Sequence, residues 1–467
     1  MTYSYIFFGY TNIGDNMKNI SIWKDTVRKK KFPVLDKDMD VDVLIVGGGV
    51  TGVNTLYSLR NSGLNVVLVE QGSVGMSTTA NSTAKINFLQ NDLLDKIKDN
   101  FGGDTLEVYL FSQLEAIDMI KDVIQKEKID CDLEQVKTYL YTNKKYEISK
   151  IKMLERILNK MHIETFQDTS SLVESKYMIR TRDTYTFHPI KYIYGLLKTR
   201  KFSVYENTPV KKLERIRDGY LCSAGHYKIK AKWVVLATHY PHFLFPYLFP
   251  FKASVEKSYL SATSHKCDDI SLISYSNPFV SIRNYKDFLL YLSNSHLVNS
   301  DTDDKINYKG LLNKLNDLGF NPDYLWSNSD VLTSDGLPYI GKIDKRLLIA
   351  TGYNTWGFTN SFLAGQILSD IILGNKNKYS ELFSPKRLNF SKTFGVITNT
   401  YNSLSGYVQG YVSTNKTNYK CTHLGCHLIY NNIEDTYDCP CHGSRFSKDG
   451  IVLQAPANKN IDVNTKK

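Results

Sequence analysis

Val41-Asp42-Val43-Leu44-Ile45-Val46-Gly47-Gly48-Gly49-Val50-Thr51-Gly52 is the stretch that decides the fold. Its β-branched run is what a strand buried on both faces requires. The run leads straight into G-x-G-x-x-G, and a helix follows with Val53, Leu56 and Leu59 on one face, stopped by Gly63. Val66–Val69 reads as a second strand ending in Glu70, eighteen residues after Gly52. Alone, the glycine pattern is weak. Framed by strand, helix, strand and terminal acid, it is a dinucleotide-binding unit. Gly47, Gly49 and Gly52 let the backbone approach a pyrophosphate at the helix N-terminus, and Glu70 can accept the ribose hydroxyls. A tight turn without a ligand is the competing reading.

Working outward, Ser77–Lys85 is a loop of small and hydroxyl residues, including Thr78 and Thr79, whose amides can lie against a cofactor. A long helix is expected from about Asp104, with Leu106, Leu110, Leu114, Ile117, Ile120 and Ile124 on a core-facing stripe. Thr208–Leu213, which contains Val210, begins a meander, and Trp233–Thr238 is another buried strand. Arg346–Ala350 meets the turn Thr351–Asn360, which contains Gly352, Gly357 and Thr359, before a helix through Leu373. That turn is a second helix N-terminus suited to a phosphate or a flavin.

Near the other end, Cys421-Thr422-His423-Leu424-Gly425-Cys426 is separated by twelve residues from Cys439-Pro440-Cys441-His442-Gly443-Ser444-Arg445-Phe446. Two boxes that each pair Cys with His suit a 2Fe–2S cluster of mixed ligation. Tetrahedral zinc is the competitor, but zinc leaves the flanking glycines and serine unexplained.

A chain of 467 residues implies two or three domains, and 42% hydrophobic with 22% charged residues is an ordinary globular composition. The net charge of +11 comes from scattered lysines, with Arg28–Lys31 as the single run, so a solvated surface is favoured over nucleic-acid binding. Cys131, Cys222 and Cys267 are too dispersed for a secreted disulfide framework. No apolar run reaches membrane-span length, and Tyr5–Tyr10 is too short and lacks the basic leader of a signal peptide. The cytoplasm is the default expectation.

The C-terminal boxes resemble the Rieske pattern C-x-H-x-G-C and C-x-C-H-G-S. The resemblance implies that Cys421 and Cys439 ligate one iron, that His423 and His442 ligate the other, and that Cys426 and Cys441 form a disulfide. It further implies a covering loop at Gln454–Ala457 and a hydrogen bond from Ser444 to a cluster sulfur. High-potential Rieske domains carry Tyr where this chain has Phe446, so a middling potential is expected. Only eight residues separate Val412 from Cys421, so the domain is trimmed of the strands that usually precede the first box.

The rest resembles the FAD-dependent D-amino-acid oxidase superfamily, in particular bacterial members with a C-terminal Rieske domain. Landmarks are Ile129–Asp132, Thr186–Pro189, Ala237–Pro241 (with Thr238) and Ser334–Gly341. The resemblance implies an α/β FAD-binding, Rossmann-like domain of glutathione-reductase type, an inserted α+β substrate domain, and a small all-β Rieske domain. Residues 1–19 are expected to be a disordered leader and 20–385 the flavoprotein. Its nucleotide-binding segments lie at about 40–90, 185–240 and 330–375, and 386–467 is a linker helix plus the trimmed Rieske domain. Val210 is expected at the adenine, and the segment Thr351–Thr359 at the flavin ring.

In chemistry, the resemblance implies oxidation of a C–N bond of an amine or amino acid through FAD. Electrons would then pass through the cluster to a quinone or a redox protein. Arg180, Arg182, His188, Tyr259 and Arg283 are the candidate substrate contacts, since Arg is the usual fork for a carboxylate. Each is at least as well explained as a structural anchor. Pro241–Phe251, flanked by His239 and His242, is expected to be a packed loop rather than a lid or a membrane contact. An electron-transfer or redox-sensing protein without amine turnover is the second functional reading. Resemblance starts at Ile20, after Met17, so Met17 is the expected initiator.

Overall fold

The strand Met39–Val46 is fully covered at Val43, Leu44 and Ile45, because it runs parallel between Tyr227–Leu236 and Val66–Val69. Burial on both sides is why its sequence is a continuous apolar run and not an alternation. The computed structural model describes residues 17–241, 252–267, 270–298, 304–387 and 416–463. Leu347–Thr351 and Ser203–Tyr205 extend the parallel sheet on its two sides. Tyr339–Asp344 adds an antiparallel edge, and the meander Val210–Ile216, Gly219–Ala224 joins through Tyr227–Leu236. Helix Gly357–Leu373 packs on helix Val50–Ser58 so closely that a Cβ on Gly365 would sit 2.9 Å from the Asn54 backbone.

A second sheet of nine strands is assembled from the segments between the nucleotide-binding ones. Its order runs from Tyr324–Thr333 through Ala253–Ser264, Phe288–Leu297, Ser281–Tyr285, Ile270–Ser274, Glu134–Thr142 and Tyr177–Thr186 to Lys85–Ile86. Helix Gly103–Lys126 carries the expected stripe, buried except at Leu114, which is only partly covered.

The C-terminal sheet has five antiparallel strands, Lys416–Lys420, His427–Asn431, Thr436–Asp438, Arg445–Ser447 and Val452–Gln454. Its core is small, with Leu428, Phe446, Ala457 and Ile461 around four cysteines. So small a core needs outside support. The second sheet supplies it. Lys257 on strand Ala253–Ser264 is buried and bridges Asp304 at 2.8 Å and Asp438 at 2.6 Å. Arg445, also buried, meets Glu434 at 2.7 Å and Asp438 at 3.2 Å and donates to Ser327 Oγ at 3.1 Å. Tyr308 donates to Glu434 at 2.9 Å and Asn431 to Asp304 at 2.7 Å, so every charge has polar neighbours. Apolar contact adds Val255 against Gly443, where an added Cβ would lie 2.9 Å from Val255 Cγ1.

Order begins earlier than residue 20. Lys18 N donates to Asp323 O at 2.8 Å, Leu325 N to Lys18 O at 2.9 Å, and Asn19 Nδ2 to Ile433 O at 3.0 Å. A pairing partner on the second sheet's edge strand, invisible in the local pattern, orders this segment. Residues 1–16, most of the expected linker helix and 242–251 lie outside the described residues. Among the described residues no helix is long and apolar enough to cross a membrane.

Burial opposes ionisation of Asp438 and Glu434, yet Arg445 and Lys257 outweigh it and hold both below the ordinary carboxylate range. Their contribution is therefore complete above the unfolded carboxylate pKa of about 4 and is lost as pH falls below it. Lys257→Met leaves two partly buried carboxylates without their bridging cation. It is expected to lower unfolding stability by about 3–5 kcal/mol, read from urea midpoints at pH 7, with the deficit shrinking below pH 4. An unchanged midpoint would show that the docking does not depend on this network.

Candidate flavin cavity and iron–sulfur centre

The glycine turn is shaped by close approaches. Gly47 has φ +111°, and a Cβ there would lie 2.5 Å from Ala237 O. A Cβ on Gly52 would lie 1.9 Å from Gly47 O, so the helix sits directly on the turn. Thr79 Oγ1 accepts from Val50 N at 3.1 Å and caps the helix. Glu70 accepts from Gly48 N at 2.7 Å and Gly72 N at 2.8 Å, which fixes its carboxylate at the strand end. Burial pushes its pKa up, and the amide donors hold it back.

A cavity of about 1660 Å³, mouth included, opens over this turn. Gly47, Gly49, Glu70, Thr78, Thr79, Lys85, Val210, Thr238 and Gly357 are in its wall, whereas Gly52, Gly352 and Thr359 stand behind it. Gly352, with φ +73°, turns the chain against Thr333, and Thr359 is buried inside its helix. Thr78 Oγ1 is buried without a partner among the described residues. Free hydroxyl, helix N-terminus and Cβ-free turn together fit a pyrophosphate-bearing FAD. The opposite wall comes from the second sheet and includes Ser258, Leu260, Leu292, Asn328 and Asp330.

The two cysteine boxes fold alike. Cys421 N donates to Cys426 O at 2.8 Å and Gly425 N returns to Cys421 O at 2.8 Å; Cys439 N donates to Ser444 O at 2.8 Å and Gly443 N to Cys439 O at 3.1 Å. Each loop closes on a glycine with positive φ, +78° at Gly425 and +73° at Gly443, which is the conformation glycine adopts without strain. Cys426 and Cys441 are joined in a disulfide across the loops, as the resemblance implies. They are therefore not metal ligands, although their sulfurs lie close to that of Cys439.

The ligand set that remains fits a cluster. Cys421 and Cys439 are hydrogen-bonded thiols that cannot both ionise easily; Cys439 holds Cys421 down at about 7, and Cys439 itself is pushed up. The rings of His423 and His442 are 5.3 Å apart. Both ring nitrogens of His442 are buried without a hydrogen-bond partner among the described residues, an expensive state unless a metal takes one of them. Ser444 Oγ accepts from Ala457 N at 3.0 Å, which ties the covering loop to the second box, and its hydroxyl also reaches Cys421.

None of the five candidate substrate contacts reaches the cavity wall. Arg180 pairs with Asp168 at 2.6 Å and lies 4.6 Å from the centre of the Phe166 ring, while Arg182 is 5.9 Å from the same ring. His188 caps helix Pro189–Leu196 by accepting from Lys191 N at 3.3 Å, and burial lowers its pKa to about 4. Tyr259 faces away because its neighbours Ser258 and Leu260 face in, by strand alternation, and it bonds His296 and Asp304 instead. Arg283 is engaged by the carbonyls of Asn284, Thr83, Ala84 and Phe187, and sits 5.3 Å from the Trp23 ring. Lys85 is in the wall, but its ammonium is held by Ser281 Oγ at 2.6 Å and by two strand carbonyls at 3.3 Å. The cavity-facing residues that sequence reasoning missed, Asn328 and Asp330, were marked only by their period-two spacing.

His442→Ala is expected to abolish acid-labile sulfide and bound iron while leaving the flavin absorbance in place, since the flavin cradle has its own core. Gly52→Ala is expected to do the reverse, because its Cβ would displace the turn. Metal analysis and the visible spectrum of each purified variant check both, and joint loss of both cofactors in either variant would contradict the separation.

Family descriptions agree with this geometry. The description "FAD dependent oxidoreductase" matches residues 42–371, and "Rieske [2Fe-2S] domain" matches residues 414–465. A Rieske 2Fe-2S iron-sulfur protein of Bacillus subtilis, YhfW, is 28% identical over 94% of this chain and 96% of its own length. Gamma-glutamylputrescine oxidoreductase of Escherichia coli is 22% identical over 74% of this chain and 87% of its own. Among solved structures, glycine oxidase from Geobacillus kaustophilus superposes with a TM-score of 0.62 at 17% identity, covering 75% of this chain and 99% of that one. The chain belongs to the FAD-dependent oxidoreductases of the D-amino-acid oxidase type, with a Rieske 2Fe–2S domain at its C-terminal end.

Proposed function

We propose that this oxidoreductase oxidises a C–N bond of an amine in the flavin cavity and passes the electrons to its own Rieske centre. Bound FAD supplies hydride acceptance and a bound 2Fe–2S cluster supplies one-electron transfer. The single observation that carries the reading is the short path between the two sites. His239 is in the cavity wall, and the next residue, Tyr240, places its ring 5.7 Å from that of His442. On strand Ala253–Ser264, Ser258 faces the cavity while Val255 and Lys257 face the Rieske domain, and Gln454, Ala455, Ala457 and Asn458 of that domain themselves line the cavity. His239 is held by Ser329 O at 2.9 Å, which keeps this segment in place.

The two cluster imidazoles are not equivalent. His442 is buried with its ring against Tyr240, whereas His423 is half-buried. His442 would hold the cluster on the flavoprotein side and the more exposed His423 would hold it where an external acceptor, a quinone or a redox protein, could approach. The similarity to gamma-glutamylputrescine oxidoreductase and glycine oxidase supports a small nitrogenous substrate.

Anaerobic mixing of the holoenzyme with a panel of amines and amino acids tests the reading. Bleaching of the flavin band followed by bleaching of the cluster band is expected, and Tyr240→Ala is expected to slow the second phase and spare the first. A flavin that no amine reduces, or a cluster that stays oxidised beside a reduced flavin, would sink the proposal. The second outcome would favour an independent sensing role for the cluster.

A further inference from the structure

The sheet wall of the cavity carries an acid and an unsatisfied acceptor where a carboxylate-binding site would carry a base. On strand Tyr324–Thr333, Asn328 and Asp330 share one face, and across the antiparallel pairing they stand opposite Ser258 and Glu256. Asn328, Asp330 and Ser258 all line the cavity. The Ser258 hydroxyl is already bonded to Ser295 at 2.7 Å. Asn328 is only 5% exposed, and its Oδ1 has no hydrogen-bond partner among the described residues. A buried amide oxygen left in that state is costly, so a donor is expected in the cavity.

Charge points the same way. Asp330 forms no ion pair among the described residues, and burial raises it to about 7, so a cation beside it would favour its carboxylate form. Glu256 also titrates near 7 because burial, Asp330 and Asp92 all disfavour its charge, with Lys96 the opposing cation. Lys96 itself donates to Thr333 O at 2.8 Å. Lys85, the one cationic side chain among the described wall residues, is engaged by Ser281 and two carbonyls. No arginine is among the described residues of the wall. Thus, in a protein of net charge +11, the stretch of cavity wall on strand Tyr324–Thr333 carries Asp330 with Glu256 opposite it, and no cationic side chain of that strand lines the cavity.

We propose that Asp330 and Asn328 bind the ammonium group of the substrate, which makes the substrate a cationic amine rather than an amino acid held by its carboxylate. An ammonium offers three donors, enough to meet the Asp330 carboxylate and Asn328 Oδ1 together. A substrate carboxylate would find no arginine fork there and would face Asp330. This inference rests on the C–N oxidation reading above, and its test separates the two.

tert-Butylammonium has no hydrogen on the carbon bearing nitrogen, so it can bind but cannot be oxidised there; pivalate carries a carboxylate on the same tert-butyl group. Each is titrated into the oxidised holoenzyme and followed by the shift of the flavin band. tert-Butylammonium is expected to bind and pivalate to bind more weakly. Asp330→Asn is expected to raise the Kd for tert-butylammonium about tenfold or more, with Asp330→Glu recovering part of it. Asn328→Leu is the second variant and is expected to weaken binding too, with flavin content confirming that each protein is folded. Pivalate binding as well as tert-butylammonium, or an unchanged Kd in Asp330→Asn, overturns the ammonium site. n-Butylamine, the isomer with the reactive hydrogens, reports separately on oxidation. If tert-butylammonium binds through Asp330 but no amine reduces the flavin, the ammonium site stands and the reaction falls. If amines reduce the flavin and Asp330→Asn binds as before, the reaction stands and the site falls.

Discussion

Everything that makes this chain one machine depends on the buried ionic network between Lys257, Arg445 and the carboxylates of Asp304, Glu434 and Asp438. Buried charges are costly, and removing one partner is worse than never having had the pair. A network of this kind therefore selects one docking geometry more than it adds stability. Sliding the C-terminal sheet by one residue would leave several charges without partners. The Rieske domain is thus held in a single pose against the flavoprotein, and the distance between its centre and the flavin cavity is defined.

That pose also explains how so small a domain persists. Its own core is a handful of side chains around the cysteines, a size at which free-standing domains usually need staples. It has one, the disulfide between the two boxes, and borrows the rest from the second sheet. Val255 fills the space left by Gly443, and Asn19 and Asn458 tie the periphery to Ile433 and Val210. Asn458 is itself in the cavity wall, so the covering loop of the cluster also closes the cofactor cavity.

A strand has two faces, and strand Ala253–Ser264 uses them for different chemistry. Ser258 and Leu260 look into the cavity, Val255 and Lys257 look toward the Rieske domain. The cavity lining and the packing against the Rieske domain can then be altered separately by changes at neighbouring positions. Tyr240 is buried beside the cavity-lining His239 and has its ring against His442.

The local devices are written in short stretches of the chain. The glycine turn, the buried strands and the two cysteine boxes are legible because each is specified by residues within about thirty positions, and by backbone geometry that few residues allow, whereas the disulfide partners follow only from the resemblance to Rieske domains. Which polar side chains face the cavity is set only once distant strands pair. Arg283 and His188 look like binding residues in sequence, yet one holds four carbonyls and the other caps a helix. Asp330 looks like an ordinary strand-edge acid and lies instead in the cavity wall. The physical reason is that a charged side chain is equally at home in solvent, in a buried pair or beside a ligand. Which of these it meets is set by strands brought together from distant parts of the chain.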